Sequence, residues 1–206
     1  MLFAMDRPIH NETPFGPQEA GCDPFALFKE WFAAAIEADP NNAGVMTLST
    51  VTDNRPSARM VLLKEHGSKG FVFYTNTLSR KGRELDANPQ AALTFWWPSA
   101  ERQVRIEGRV EKISPEASEA YFATRDRDSQ LGAWASAQSA KIDEAVTLDE
   151  ARRKFGDETI PRPCSWGGLR LIPERFEFWQ GRAIRLHDRI VFEPKGSDWK
   201  TFRIAP

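Results

Sequence analysis

From Val45 to Ile113 apolar and polar residues alternate in short runs rich in Val, Leu, Phe and Thr, broken at Asp53-Asn54-Arg55-Pro56, His66-Gly67-Ser68 and Pro98-Ser99-Ala100. Alternation at period two predicts strands with one face inward, and the breaks carry turn chemistry. The connections are too short for helical crossovers, so an antiparallel meander or small barrel is expected rather than a doubly wound sheet. The tail returns to the same pattern at 169–171, 176–179, 190–192 and 199–204. Helical spacing interrupts it in four places. Asp23 is placed to cap a helix with Pro24 at its first position, and Phe28, Trp31, Phe32 and Ala35 form its apolar stripe. A second helix is expected from Ser79 to Asn88 and a third after the Ser114-Pro115 cap pair. The fourth begins near Thr147, where Thr147-Leu148-Asp149-Glu150 reads as a capping box and Gly156 as a stop. Residues 1–22 are polar, Pro/Gly-punctuated and without period, which predicts a mobile arm ahead of one domain over 23–206. The expected class is mainly β with flanking helices.

Composition narrows the function classes. With 41% hydrophobic and 28% charged residues the chain can bury a sizeable core. A net charge of -1 supplies no polyanion-binding field, so nucleic acid is not an expected partner. Cys22 and Cys164 lie far apart and form no paired motif, and the three histidines are scattered, so neither a disulfide framework nor a metal site is expected. No apolar run approaches the roughly eighteen residues of a membrane span, and Asp6 interrupts the only apolar start, which predicts a cytoplasmic chain.

The candidate chemistry is a surplus of phosphate-gripping side chains without any glycine-rich nucleotide loop. Tyr121 and Arg125 are four apart, on one helical face, and Ser129 falls where the next helix would start; one anion could touch all three. The alternative makes Tyr121 a packed aromatic, Arg125 a partner of Asp126 or Asp128, and Ser129 a plain helix cap. Along Arg59-Met60-Val61-Leu62-Leu63-Lys64 a strand sends Arg59 and Lys64 to opposite faces, either as ligand contacts or as a solvated edge. After Tyr74-Thr75, a helix opening with Arg80 and Lys81 opposes its own dipole, which suits a bound anion unless both side chains run into water. Finally, Arg185, His187 and Arg189 would share a strand face at period two, with His187 either a general acid or base or a structural hydrogen-bonder.

Together with Phe73-Tyr-Thr-Asn76, Ser79-Arg-Lys81, Glu101-Arg-Gln103, Gly132-Ala-Trp134, Gln138-Ser139 and Phe178-Trp-Gln180, these blocks resemble the pyridoxamine/pyridoxine 5'-phosphate oxidase family nearly unbroken from Asp23 to Pro206. The resemblance implies an FMN-binding split β-barrel, antiparallel and homodimeric, with flavin at the subunit interface. It assigns to FMN the stretch Arg59, Met60, Val61, Leu62, Leu63 and Lys64, with Tyr74, Thr75, Arg80, Lys81, Gln103, Gln138, Ser139, Trp179 and Arg189. It assigns to the substrate Lys64, Tyr121, Arg125, Ser129, Arg185, Leu186 and His187, with Arg185 and His187 as the catalytic pair. The implied reaction oxidises pyridoxamine 5'-phosphate and pyridoxine 5'-phosphate to pyridoxal 5'-phosphate; flavin takes the hydride and O2 reoxidises it to give H2O2. Phenazine-type flavin oxidases, which share the fold and several flavin residues but lack the Tyr121/Arg125/Ser129 set, are the nearest alternative the resemblance leaves. A flavin or pyridoxal phosphate binding module without turnover is a second alternative. The family's Arg-Arg-Glu-Tyr lid segment has no counterpart in Asp6-Arg7-Pro8-Ile9-His10-Asn11-Glu12-Thr13.

Overall fold

The computed structural model describes residue 15 and residues 23–141, 148–182 and 185–206. The Thr147 half of the expected capping box and most of the expected arm lie outside them. Of the arm, Phe15 is described: it is buried, with its ring 5.0 Å from that of Trp31.

The elements run α1 (Pro24–Ala38), β1 (Val45–Thr52), β2 (Arg55–Leu62), β3 (Glu65–Gly67), β4 (Gly70–Asn76), α2 (Arg80–Ala87), β5 (Gln90–Trp97), β6 (Arg102–Lys112), α3 (Pro115–Ala123), α4 (Arg127–Ala135), α5 (Leu148–Phe155), β7 (Trp166–Gln180), β8 (Asp188–Lys195) and β9 (Asp198–Arg203). All strand pairs are antiparallel, in the order β2-β1-β5-β6-β7-β4-β3, with β8 and β9 added beyond β7. The sheet does not close. The two tail strands expected at 169–171 and 176–179 are one strand: β7 pairs with β6 along its length, with β4 over its first half and with β8 over its second. That branching splits the barrel. The bend comes at a bulge between Glu107 and Gly108, where a side chain on Gly108 would stand 2.0 Å from the Ile172 carbonyl oxygen.

The caps form as their residue types dictate. Asp23 Oδ1 accepts from the Phe25 N–H at 3.1 Å, and Ser79 and Ser114 cap α2 and α3. The stripe of α1 fills the barrel: Phe28, Trp31 and Ala35 are buried, Phe28 edge-on to Phe71 at 4.8 Å and Trp31 edge-on to Phe178 at 5.3 Å. A second core lies under α3, α4 and α5, formed by Phe122, Leu131, Ala151, Phe155, Ile160 and Trp166.

His66 on β3 is wedged edge-on between Phe28 and Phe32, at 5.2 and 5.1 Å. Burial, aided by Lys29, lowers its pKa, so the fold favours the neutral ring. The unfolded chain therefore takes up this proton first, and the stability His66 contributes is present above its ordinary value near 6.5 and lost as pH falls below it. The urea midpoint should fall between pH 7.5 and 5.5, and His66→Phe should flatten that fall; an unchanged slope would remove His66 as its cause.

Candidate active site

One cleft of about 470 Å³ opens between β2, β4, the start of α2 and the α3–α4 junction, lined by Met60, Val61, Leu62, Lys64, Tyr74, Thr75, Lys81, Tyr121, Thr124, Arg125, Asp126, Ser129, Gln138 and Trp166. The structure thus brings together most of both residue sets expected from the sequence, although their members lie up to 78 positions apart.

Its α3–α4 end is an anion seat made partly of rings. Tyr74, Tyr121 and Trp166 stack nearly parallel, with Tyr74 to Tyr121 centroids at 4.0 Å and Tyr74 to Trp166 at 5.1 Å. Gly168 permits this, because a side chain there would meet the Tyr74 ring at 2.8 Å. Burial, with the Glu65 carboxylate nearby, pushes the Tyr74 hydroxyl up to about 12 and keeps it neutral. The Arg125 guanidinium lies 4.9 Å over the Trp166 ring, and its Nη1 is buried without a hydrogen-bond partner. The expected alternative pairing with Asp126 or Asp128 does not form. Asp126 caps α4 instead, accepting from the Ser129 N–H at 2.7 Å, and Asp128 pairs with Arg152. Ser129 is accordingly not the helix cap but sits in the first turn of α4, with its N–H taken by Asp126. Trp166 escaped the sequence reading because nothing near position 166 marks it as a cleft wall; only its pairing with Asn76 puts it there.

At the other end of the cleft the two cations opening α2 diverge. Lys81 turns inward, 8% exposed, and donates to Thr75 Oγ1 at 3.0 Å, Gln138 Oε1 at 2.9 Å and Ser79 Oγ at 3.4 Å, all neutral acceptors. Burial and the adjacent Arg59 lower its pKa, with Glu84 only partly offsetting them, so an anion beside Lys81 would be stabilised. Arg80 turns outward and pairs with Glu84 at 2.8 Å. Glu84, which the sequence reading passed over, also accepts from Arg59 at 2.8 Å and from the Thr50 hydroxyl at 2.6 Å. Burial raises its pKa, but the hydrogen bonds from Thr50, Arg80 and Arg59 outweigh this and hold it below the usual carboxylate range. Arg59 faces α2 rather than solvent, so the edge-charge alternative does not apply to it; Lys64, just past β2, is exposed. Leu63 is buried in the core, and Ser139 follows Gln138 in a left-handed turn.

The remaining candidates stand elsewhere. Trp96, Gln103, Trp179 and Arg189 are consecutive cross-strand neighbours on β5, β6, β7 and β8, forming one row on the face away from the core. Arg185 and His187 do not continue that face at period two as expected: β8 begins only at Asp188, and Arg185 is left-handed with φ 62°. His187 lies over Trp179 at 4.6 Å, and its Nδ1 accepts from the Arg182 N–H at 3.1 Å, which leaves the ring proton of neutral His187 on Nε2. Leu186 is exposed. Trp179 and Gly168, the partner of Tyr74, are eleven residues apart on β7, about 36 Å of strand at ~3.3 Å per residue. The cleft and the row are therefore separate on one chain.

Among the described residues no group of three or more His, Cys, Asp or Glu could hold a metal ion, and no helix is long and apolar enough to cross a membrane. Of solved structures, the chain is similar to PhzG from Burkholderia lata 383, bound there to tetrahydrophenazine-1-carboxylic acid, with TM-score 0.87 and 28% identity over 95% of this chain and 98% of that one. It shares its fold with a pyridoxamine 5'-phosphate oxidase-related, FMN-binding protein from Nostoc punctiforme, with TM-score 0.72 and 20% identity over 90% of this chain and 100% of that one. Fold and cleft together define the split-barrel oxidoreductase class. Residues 32–153 match the family model described as pyridoxamine 5'-phosphate oxidase, and residues 166–206 that of the pyridoxine 5'-phosphate oxidase C-terminal dimerisation region. Relatives named pyridoxine/pyridoxamine 5'-phosphate oxidase are 54% identical in Sphingopyxis alaskensis, over 89% of this chain and 88% of the relative, and 54% identical in Cupriavidus necator, over 95% and 92%. The chain belongs to the pyridoxamine 5'-phosphate oxidase family, and that membership implies a flavin cofactor and a homodimer.

Proposed function

We propose that this chain, working as a homodimer with residues 23–206 as its single catalytic domain, oxidises pyridoxamine 5'-phosphate and pyridoxine 5'-phosphate to pyridoxal 5'-phosphate. FMN is the cofactor, O2 the acceptor, H2O2 a product, and ammonia is released from the amine. The observation that carries this reading is one cleft with two separate cationic ends, each short of an anion: Lys81, buried among neutral acceptors, and Arg125, whose Nη1 has no partner. Two phosphorylated ligands satisfy both, and a single carboxylate ligand leaves one end unfilled.

The residues fit FMN as follows. Lys81 holds the phosphate, with Arg59, Arg80 and Ser139 assigned to the same ligand, and Gln138, beside Lys81 in the cleft, offers an amide with both donor and acceptor groups. Met60, Val61 and Leu62 provide an apolar flank, and Lys64, Tyr74 and Thr75 complete the binding set. The partner's copy of the row supplies Gln103, Trp179 and Arg189, because the cleft's own chain has its row eleven residues, ~36 Å of strand, away along β7. Tyr121, Arg125, Ser129 and Lys64 take the substrate phosphate. Arg185, Leu186 and His187, also from the partner, lie over the substrate ring; Arg185 orients it and His187 offers Nε2–H as a donor. When bound, FMN supplies the two-electron oxidation. The protein's part is to fix two flat ligands face to face, which explains the scarcity of acid–base residues.

Pyridoxamine 5'-phosphate added in air to the yellow protein should yield peroxide and the aldehyde absorbance. No product from either vitamer phosphate, with FMN bound, leaves a binding module instead. Arg185→Leu should lower kcat by ~100-fold with FMN affinity nearly unchanged, as for removal of a group that acts on the reacting substrate. Unaltered kcat removes Arg185 from the mechanism.

A further inference from the structure

On the outer face of β7, one step behind Trp179, stands Glu177, whose side chain is 3% exposed. Three arginines from three neighbouring strands surround it. Arg189 of β8 donates to Glu177 Oε1 through Nε at 2.9 Å and Nη2 at 2.7 Å. Arg105 of β6 donates to Oε2 at 3.2 Å, and Arg175 of β7 lies 3.8 Å from the same oxygen. Glu107 and Glu193 pair with the outer arginines, at 2.5 and 3.4 Å from Arg105 and Arg175, so three cations balance three carboxylates. A well-packed apolar residue at this buried place would serve the sheet as well or better. What the carboxylate adds is a fixed place for Arg189, whose Nη1 also donates to the Ala205 carbonyl at 3.0 Å. Three of the five guanidinium N–H groups are thus engaged, leaving two for a ligand.

Resting on the flavin reading above, we propose that Glu177 is a positioning residue of the cofactor site: it holds Arg189 in the Gln103–Trp179–Arg189 row that meets the flavin across the dimer. Neither Glu177 nor its ring of arginines touches the substrate seat, so its effect is on cofactor affinity.

The test is a double-mutant cycle on FMN affinity, with the flavin stripped from full-length protein and FMN titrated back by fluorescence quenching. Glu177→Gln and Arg189→Gln should each raise the FMN Kd about 10-fold or more, and the double variant should bind within ~3-fold of the weaker single one. Arg105→Gln, which removes another arginine from the same carboxylate, should stay within ~2-fold of wild type. Should Glu177→Gln not fold, Arg189→Lys keeps the charge but cannot make the two-nitrogen grip, and should raise the Kd about 10-fold. The inference is overturned by wild-type affinity in Glu177→Gln or Arg189→Lys, by single effects that multiply in the double variant, or by Arg105→Gln binding as weakly as Glu177→Gln. A wild-type chain that takes up no FMN overturns the flavin reading and this inference with it.

Discussion

Arg125→Ala is expected to weaken binding of the phosphorylated substrate by ~1.5–3 kcal/mol, seen as a KM rise of roughly 10- to 150-fold, with FMN still bound. The size follows from what the side chain does in the cleft. Its guanidinium lies over Trp166 at 4.9 Å and near Phe122 at 5.8 Å, and its buried Nη1 has no hydrogen-bond partner. Stacking costs no in-plane donor, so the arginine is presented to an anion already desolvated and oriented. Alanine removes the charge-assisted bond and leaves Tyr121 and Ser129 as neutral donors. Steady-state kinetics with both vitamer phosphates, beside the flavin absorbance of the same preparation, check the prediction. Equal loss of flavin and substrate would show that the two ends of the cleft are not separate anchors.

Met60→Glu combined with Leu62→Glu is expected to lower dimer affinity by ~100-fold or more and to empty the flavin site. Both side chains project from the edge strand β2, 60% and 50% exposed, and both line the cleft. Exposed apolar side chains at a sheet edge are ordinarily covered in the working assembly, and two unpaired carboxylates buried there would each cost several kcal/mol. Because Trp179 and the partner of Tyr74 stand eleven residues apart along β7, the proposed flavin site leaves a monomer with only half of its contacts. Sedimentation and flavin absorbance per chain should fall together. A monomer that keeps its flavin would place the whole site within one chain, and an intact yellow dimer would take the β2 edge out of the interface.

Local features were legible because they depend on neighbours a few positions away. The caps at Asp23, Ser79 and Ser114 formed because an oxygen two or three residues ahead of a free N–H reaches it wherever the helix sits. The strands from Val45 to Lys112 likewise follow from alternation. Placement by period failed at Arg125: α3 ends at Ala123, so Tyr121 and Arg125 share the cleft across the bend before α4 and not on one helical face. It failed again at Arg185-Leu186-His187, where period two presumes a strand and the backbone turns left-handed at Arg185 before β8 begins.

Hidden from the sequence was everything set by register between distant strands. Gln138 reaches Lys81 across 57 positions, and Trp166 becomes a wall of the anion seat only by pairing with Asn76. Nothing in the sequence marks Glu84 and Glu177; packing of distant strands and of α2 onto the sheet buries each among arginines. The chain's own pattern decided which segments are helix or strand and which face turns inward, since backbone periodicity and capping act over a single turn or pleat. Only the tertiary structure decided which cations are left without a counter-charge and that the cleft and the Gln103–Trp179–Arg189 row lie apart on one subunit, because burial and cross-strand register arise when segments distant in sequence are packed together.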